Sequence, residues 1–298
     1  MELLKIKKID IDQETKDTIE EMVSSIKNDK EVMKEVAALG IKDEQSLRKN
    51  AATIFTFKED LDYCRKCPGY NMCAKDRPHY QFKLRFDGSF LGNHAEACHL
   101  KIEDLRKDEV YVARDFPSEW RMSNISNFDK SKVRQKLIKR YIEALKSSQN
   151  WIYITGSHRS GKSYVAAALI NTYILKNHRK VAFINYPIRI RKLNDYSYND
   201  KELFFKYIDL FSNVEVLVID DFGNEYKNEY IRDSITIQIL NERARKGLMT
   251  IFTSSFDFDE IMNMYSINAS GRARGKQLKE LLEDYAGEPI DITCAEIY

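Results

Sequence analysis

The strongest constraint on this chain is an uninterrupted G-x-x-x-x-G-K-S run: Gly156, Ser157, His158, Arg159, Ser160, Gly161, Lys162 and Ser163. Trp151–Ile154 precedes it, and its aromatic and β-branched residues have the composition of a buried strand. Val165–Leu175 follows, alanine-rich and helical in pattern. Strand, glycine loop and helix in that order make a phosphate site. Gly156 and Gly161 let the backbone curl so that successive N–H groups face phosphate oxygens. The helix N-terminus adds its partial positive charge. In such a loop Lys162 reaches the β- and γ-phosphates of ATP and the Ser163 hydroxyl binds Mg²⁺. Ser157, His158, Arg159 and Ser160 line the cradle.

Other apolar runs complete the pattern. Val181–Ile184 is a second strand, and Val214–Asp221 is a third that ends in two acids. Asp220 is expected to hold the hydrated Mg²⁺, and Asp221 to orient or deprotonate the attacking water. Glu225 is the next carboxylate if that base lies elsewhere. Met249–Ser255 is a fourth strand, whose hydroxyl-rich end places a polar side chain between the acids and the γ-phosphate. The polar, tyrosine-rich stretch from Pro187 to Asp209 receives no element. Arg272 and Arg274 sit in a glycine-flanked stretch, Leu278–Leu282 reads as a helix, and Ile290–Thr293 as a last strand. Strands alternating with helices predict a parallel, helix-covered sheet with the nucleotide at its C-terminal edge.

The N-terminal third is different. Ile19, Met22, Val23 and Ile26 recur with helical spacing, and Val32, Val36 and Leu39 repeat the theme before Gly40. A third helix is expected from Asp43 to Ala52, carrying Leu47. This is either a small bundle with one apolar face or a docking module for another protein. Cys64-Arg65-Lys66-Cys67 follows, and a C-x-x-C knuckle sets two thiolates on one tetrahedral metal. Tyr80, Phe82, Leu84 and Phe86 alternate with polar residues, and Asp87-Gly88 reads as a hairpin turn. A returning strand would bring Cys98 back towards the knuckle. Zn²⁺ is expected on Cys64, Cys67 and Cys98, with Cys73 or His79 as the fourth ligand and His94 and His99 as secondary candidates. A thioredoxin-like βαβ context, which a redox pair would need, is missing.

From Lys107 to Arg121 the chain is charged and reads as a linker. A helix from Asp129 carries an apolar stripe of Val133, Leu137, Ile138, Tyr141, Ile142 and Leu145. Its basic residues Lys130, Lys132, Arg134, Lys136, Lys139 and Arg140 are expected to face outward. The formal net charge of +2 excludes nucleic-acid binding by bulk charge alone. No run is long and apolar enough for a membrane span, and Met1–Ile11 lacks the form of a signal peptide, so a cytoplasmic protein without membrane contact is expected. Four of the five cysteines lie between Cys64 and Cys98, with Cys294 apart, and in a reducing compartment such clustering favours a metal over disulfides.

Val181–Leu193 (V-A-F-I-N-Y-P-I-R-I-R-K-L), Ile219–Glu225 (I-D-D-F-G-N-E), Tyr230–Asp233 (Y-I-R-D) and Thr253–Phe256 (T-S-S-F) resemble the DnaI/DnaC group of AAA+ helicase loaders. The cysteine module resembles the zinc-binding, helicase-interacting domain of the DnaI branch. The resemblance implies an α/β AAA+ P-loop sheet sandwiched by helices, over residues 122–298. It implies a small helical and zinc-hairpin domain at 1–107 and a linker at 108–121. The implied activity is ATP-dependent loading of the bacterial replicative, DnaB-family helicase onto single-stranded DNA during replication initiation. Implied partners are the helicase hexamer, single-stranded DNA, and further copies of the chain through the AAA+ domain. A nucleotide-gated AAA+ adaptor with little hydrolysis, such as a transposition ATPase, is the alternative. Two departures stand out. Ser255 replaces the asparagine usual in T-S-N, and Gly275–Leu282 lacks the family's paired arginines. Arg243, in I-L-N-E-R, matches a family arginine. Asp221, Ser255 and Arg243 are thus the implied catalytic set.

Overall fold

A computed structural model describes residues 12–86, 90–268 and 271–293. Met1–Ile11, the expected Asp87-Gly88 turn and Cys294 lie outside the described residues. The chain forms two compact units, residues 1–103 and 104–298.

The first unit opens with α1 (Gln13–Lys27), α2 (Lys30–Ala38), α3 (Glu44–Lys49) and α4 (Ala51–Arg65). Asp12, Asp29 and Asp43 precede the first three, each accepting an N–H of the first turn, which satisfies donors that a helix leaves unpaired. Val23, Ile26, Val32, Val36, Leu47, Ile54 and Phe57 form the core. The helix expected at Asp43–Ala52 breaks at Asn50, and its last residues open α4, which continues to the knuckle. Strands β1 (Tyr80–Phe86) and β2 (Leu91–Ala97) pair antiparallel, with Tyr80 opposite Ala97 and Phe86 opposite Leu91. Phe82, Leu84 and Leu91 pack on the helices, while Tyr80 and Phe86 face solvent.

The second unit holds a six-stranded parallel sheet in the order β3-β5-β6-β7-β4-β8. The strands are β3 (Tyr111–Arg114), β4 (Trp151–Thr155), β5 (Val181–Asn185), β6 (Val216–Phe222), β7 (Met249–Ser254) and β8 (Ile290–Asp291). After α5 (His99–Val110), helices α6 (Lys132–Ala144) and α7 (Lys162–Lys176) pack on one face. The other face is covered by α8 (Tyr186–Asn199), α9 (Lys201–Asn213), α10 (Glu229–Ile231), α11 (Ile237–Lys246), α12 (Phe258–Tyr265) and α13 (Gly271–Ala286). Burial on both faces explains why these strands read as continuous apolar runs.

Three segments differ from expectation. The stretch read as a linker contains β3, which pairs with β5. The tyrosine-rich stretch after β5 folds as α8 and α9, with Pro187 in the first turn of α8 and Asn185 capping it. Pro187 starts a helix there because the first turn needs no N–H from it. On α6, Arg134 turns inward, its guanidinium stacked over Phe128 at 5.2 Å, whereas Ile142 and Leu145 are exposed. Arg140 also turns towards the protein and donates to the Trp151 carbonyl at 2.7 Å.

Candidate nucleotide site and cysteine cluster

Strand β4 is buried from Trp151 to Ile154 and delivers the phosphate loop at the C-terminal edge of the sheet. Gly161 is left-handed, with φ +82°, which glycine adopts without a steric cost. Lys162 is 8 % exposed, and its Nζ donates to the Gly156 and Ser157 carbonyls at 2.8 Å each. Burial lowers its pKa, opposed by the charges of Asp221, Asp220 and Asp291. Ser160 Oγ is buried within the loop and has no hydrogen-bond partner among the described residues. A polar atom so placed suits a phosphate oxygen.

Asp220, at the end of β6, is 6 % exposed. Burial raises its pKa, while hydrogen bonds from Thr253 and Ser163 oppose the rise. Ser163 and Asp220, the two residues expected to carry Mg²⁺, therefore lie near one another at this edge. A carboxylate and a hydroxyl beside a phosphate loop fit that hard cation. Asp221 is left-handed, with φ +63°, where the β6·β7 register shifts between Ile219 and Phe222. Asn224 Nδ2 donates to Asp221 Oδ1 at 2.6 Å.

The hydroxyl linking the acids is Thr253. Its Oγ1 donates to Asp220 Oδ1 at 2.6 Å and accepts the Asp221 N–H at 2.9 Å. Ser254 is tied to the Phe222 carbonyl at 2.7 Å. Ser255 lies past the end of β7 and is exposed, so it does not share that contact. The T-S-S run was the available signal, but it did not say which hydroxyl meets the acids.

Arg243 is placed elsewhere. It is fully buried and donates to Thr250 Oγ1 and to the carbonyls of Phe211, Val214 and Met249. Met249 and Thr250 lie at the far end of β7, roughly 10 Å of strand from Thr253, and Phe211 and Val214 at the end of α9, so Arg243 is a structural tie rather than a residue of the nucleotide site. Arg272 and Arg274 stand in the first turns of α13, and Arg274 Nη1 donates to Gln277.

Glu225 is a brace and not a spare base. Its carboxylate accepts the Gly223 N–H at 2.8 Å and the Tyr265 hydroxyl at 2.5 Å, deep inside the unit. Gly223 itself has φ +98°, and an added Cβ would stand 2.6 Å from Phe256 Cδ2 and 2.8 Å from Ile261 Cδ1. Gly223→Ala is therefore expected to cost about 2 kcal/mol or more, seen as a lower urea midpoint. A midpoint equal to wild type would contradict this packing.

In the first unit Cys64 sits in the last turn of α4, Cys67 just beyond it, Cys73 after a short turn, and Cys98 between β2 and α5. These four and His79 line one cavity of about 190 Å³. The Cys98 N–H donates to the His79 carbonyl at 2.9 Å, so the hairpin sets Cys98 beside His79, on the same cavity as Cys64 and Cys67. Arg65 pairs with Asp29, Glu31 and Asp62 at 2.6, 2.6 and 2.7 Å, tying the knuckle to the start of α2. Its guanidinium holds the Asp29 carboxyl down at about 2.

Three of the candidate ligands make other contacts. Lys75 Nζ donates to Cys64 Sγ at 3.1 Å, and the His79 N–H to Cys73 Sγ at 3.4 Å. The His79 ring stacks on Tyr70 at 3.9 Å, with Nε2 2.8 Å from the Tyr70 carbonyl. Among the described residues no three His, Cys, Asp or Glu side chains converge closely enough to hold a metal. Thiols and an imidazole around one cavity have the chemistry of a structural zinc site, but the expected ligands are not gathered into one.

No protein-family model matches the chain. It is 23% identical over 261 residues to the replicative helicase loader DnaI of Bacillus subtilis (strain 168), across 83% of this chain and 82% of that protein. The crystal structure of DnaI aligns with a TM-score of 0.54 and 25% identity, over 62% of this chain and 98% of that one. A putative primosome component from Streptococcus pyogenes serotype M3 aligns at 0.50 with 22% identity, over 62% and 94% of the two chains. No helix among the described residues is long and apolar enough to cross a membrane. In sequence and in fold, then, the chain is similar to a DnaI replicative helicase loader.

Proposed function

We propose that this chain is an ATP-dependent loader of a DnaB-family replicative helicase, acting on single-stranded DNA in the cytoplasm. The observation that carries the reading is the meeting of Lys162, Ser163, Asp220 and Thr253 at one sheet edge, in a chain similar to a replicative helicase loader. Residues 156–163 bind the phosphates, with Lys162 leaving the Gly156 and Ser157 carbonyls for the phosphate oxygens. Bound Mg²⁺ supplies positive charge to the β- and γ-phosphates, and Ser163 and Asp220 are the residues that hold it. Asp221 orients the water that attacks the γ-phosphorus and takes its proton as the β–γ bridge bond breaks. The AAA+ unit self-associates and contacts the DNA strand. The N-terminal unit grips the helicase, and its cysteine-lined cavity is where Cys64, Cys67 and Cys98, with Cys73 or His79, would hold a structural Zn²⁺ once their side chains turn towards one another. The exposed Ser255, where the family has asparagine, favours a second reading: a nucleotide-gated adaptor with slow turnover.

Lys162→Ala is expected to weaken ATP binding at least about 100-fold, because it removes the charge that meets the phosphates. Asp220→Asn lowers only the Mg²⁺-dependent part of the affinity, whereas Asp221→Asn keeps binding and loses turnover. Titration with a fluorescent ATP analogue, with turnover measured with and without the helicase, checks all three. Unchanged binding by Lys162→Ala would overturn the nucleotide site. Turnover that stays negligible with helicase would favour the adaptor, and failure to capture the helicase would remove the loader reading.

A further inference from the structure

The residues just past the last strand touch the phosphate loop. β8 extends β4 in parallel, with Thr155 opposite Asp291, and the Ile292 N–H donates to the Thr155 carbonyl at 2.9 Å. This carries Thr293 alongside the first turn of the loop. Thr293 Oγ1 accepts the Ser157 N–H at 3.0 Å and donates to Asp291 Oδ1 at 2.6 Å. Asp291 Oδ1 also accepts the Thr293 N–H at 2.8 Å. The fit is close, since a Cβ added at Gly156 would lie 3.2 Å from Thr293 N and 3.3 Å from Thr293 Oγ1.

We propose that Thr293, held by Asp291, is a positioning residue that fixes the entrance of the phosphate loop and so sets nucleotide affinity. The inference rests on the nucleotide reading above and extends it to the C-terminal strand. A phosphate site works because its loop is set before the ligand arrives, so the ordering cost does not fall on binding. With its N–H taken by Thr293, the Ser157 turn is fixed from outside, while the N–H groups in the first turn of α7 stay open to the ligand. Ser157 is the first residue after Gly156, and its amide takes no part in α7. Thr293 supplies the acceptor that holds it. The same peptide unit matters to Lys162, whose Nζ rests on the Gly156 and Ser157 carbonyls. The carboxylate of Asp291 also favours the Lys162 ammonium.

Valine matches threonine in shape but can neither accept from Ser157 nor donate to Asp291. In the full chain, Thr293→Val is expected to speed amide exchange at residue 157 and to weaken ADP binding about three- to ten-fold, the worth of one ordinary hydrogen bond. Thr293→Ser should restore both, because it keeps the hydroxyl. A merely structural role would move the unfolding midpoint but would not be rescued in exchange and affinity together by serine. Wild-type exchange at residue 157 in Thr293→Val overturns the proposal, as does serine behaving like valine. Wild-type ADP affinity alongside faster exchange overturns its consequence for binding. A wild-type chain that binds no nucleotide would refute the proposed function instead, and the exchange comparison would still decide whether Thr293 holds the loop.

Discussion

Arg243→Ala is expected to destabilise the α/β unit by about 4 kcal/mol while leaving its nucleotide affinity within about two-fold of wild type. The guanidinium is fully buried and lies among carbonyls from α9 and its exit, Phe211 and Val214, and from Met249 and Thr250 on β7. Burial draws its pKa down to about 9, with the charge of Glu215 opposing, so it remains charged at neutral pH. Alanine leaves several buried acceptors without a donor, each costing about 1–3 kcal/mol, and opens a cavity as well. Lysine is a poor substitute, because one ammonium cannot reproduce a planar fork of donors. Urea unfolding followed with ADP titration well below the midpoint separates the roles. A stable Arg243→Ala chain that has lost only turnover would restore Arg243 as an arginine finger. A destabilised chain with intact affinity supports the structural tie.

Arg243 also marks a limit on what can be read from residues alone. Within I-L-N-E-R it looks like any arginine on an amphipathic helix, and its acceptors come from segments distant in sequence. Arg134 is misread for the same reason: it falls among outward-facing lysines but is covered by Phe128. The strand, glycine turn and helix start around Gly156–Ser163 are legible because their geometry is local, with glycines, lysine and helix start all inside one short run. The acids of β6 were legible because an apolar strand ending in carboxylates has few uses. Thr253 and Ser255 have the same parity, so strand alternation puts both on one face. Alternation fails where β7 ends, and only Thr253 remains in the ladder opposite the acids. Strand β3 was missed because a short edge strand among charges leaves little periodicity to detect. Helices α8 and α9 were missed because Pro187 and the tyrosines read as a break. Their stripe becomes visible only through what it covers: Tyr186, Ile190, Leu193, Phe204, Ile208 and Phe211 all join the sheet core.

The largest expected effect lies in the first unit. On the zinc site proposed above, Cys67→Ser in the full chain is expected to lower zinc content and unfold the knuckle, leaving ADP binding by the second unit unchanged. The helices have a core of their own, centred on Val32, Val36 and Ile54. The segment from Cys67 to His79 has little: its residues are intermediate or exposed, and Met72 is 67 % exposed. Its contacts within the chain include a few hydrogen bonds and one ring stack around Cys64, Lys75, Tyr70 and His79. Such contacts give roughly 1 kcal/mol each, whereas zinc on thiolates supplies on the order of ten in small peptides. Zinc held there would therefore dominate the order of this segment, and it would draw Cys64 Sγ from Lys75 and Cys73 Sγ from the His79 N–H. Metal analysis of the wild-type chain should give one zinc, and proteolysis of Cys67→Ser should cut between residues 67 and 98 while sparing residues 151–293. Cys73→Ser and His79→Ala then divide the remaining question, because only the true fourth ligand lowers zinc content. A wild-type chain that holds no zinc, or whose segment 67–98 resists protease equally in excess chelator, would show that the polar contacts alone hold the knuckle.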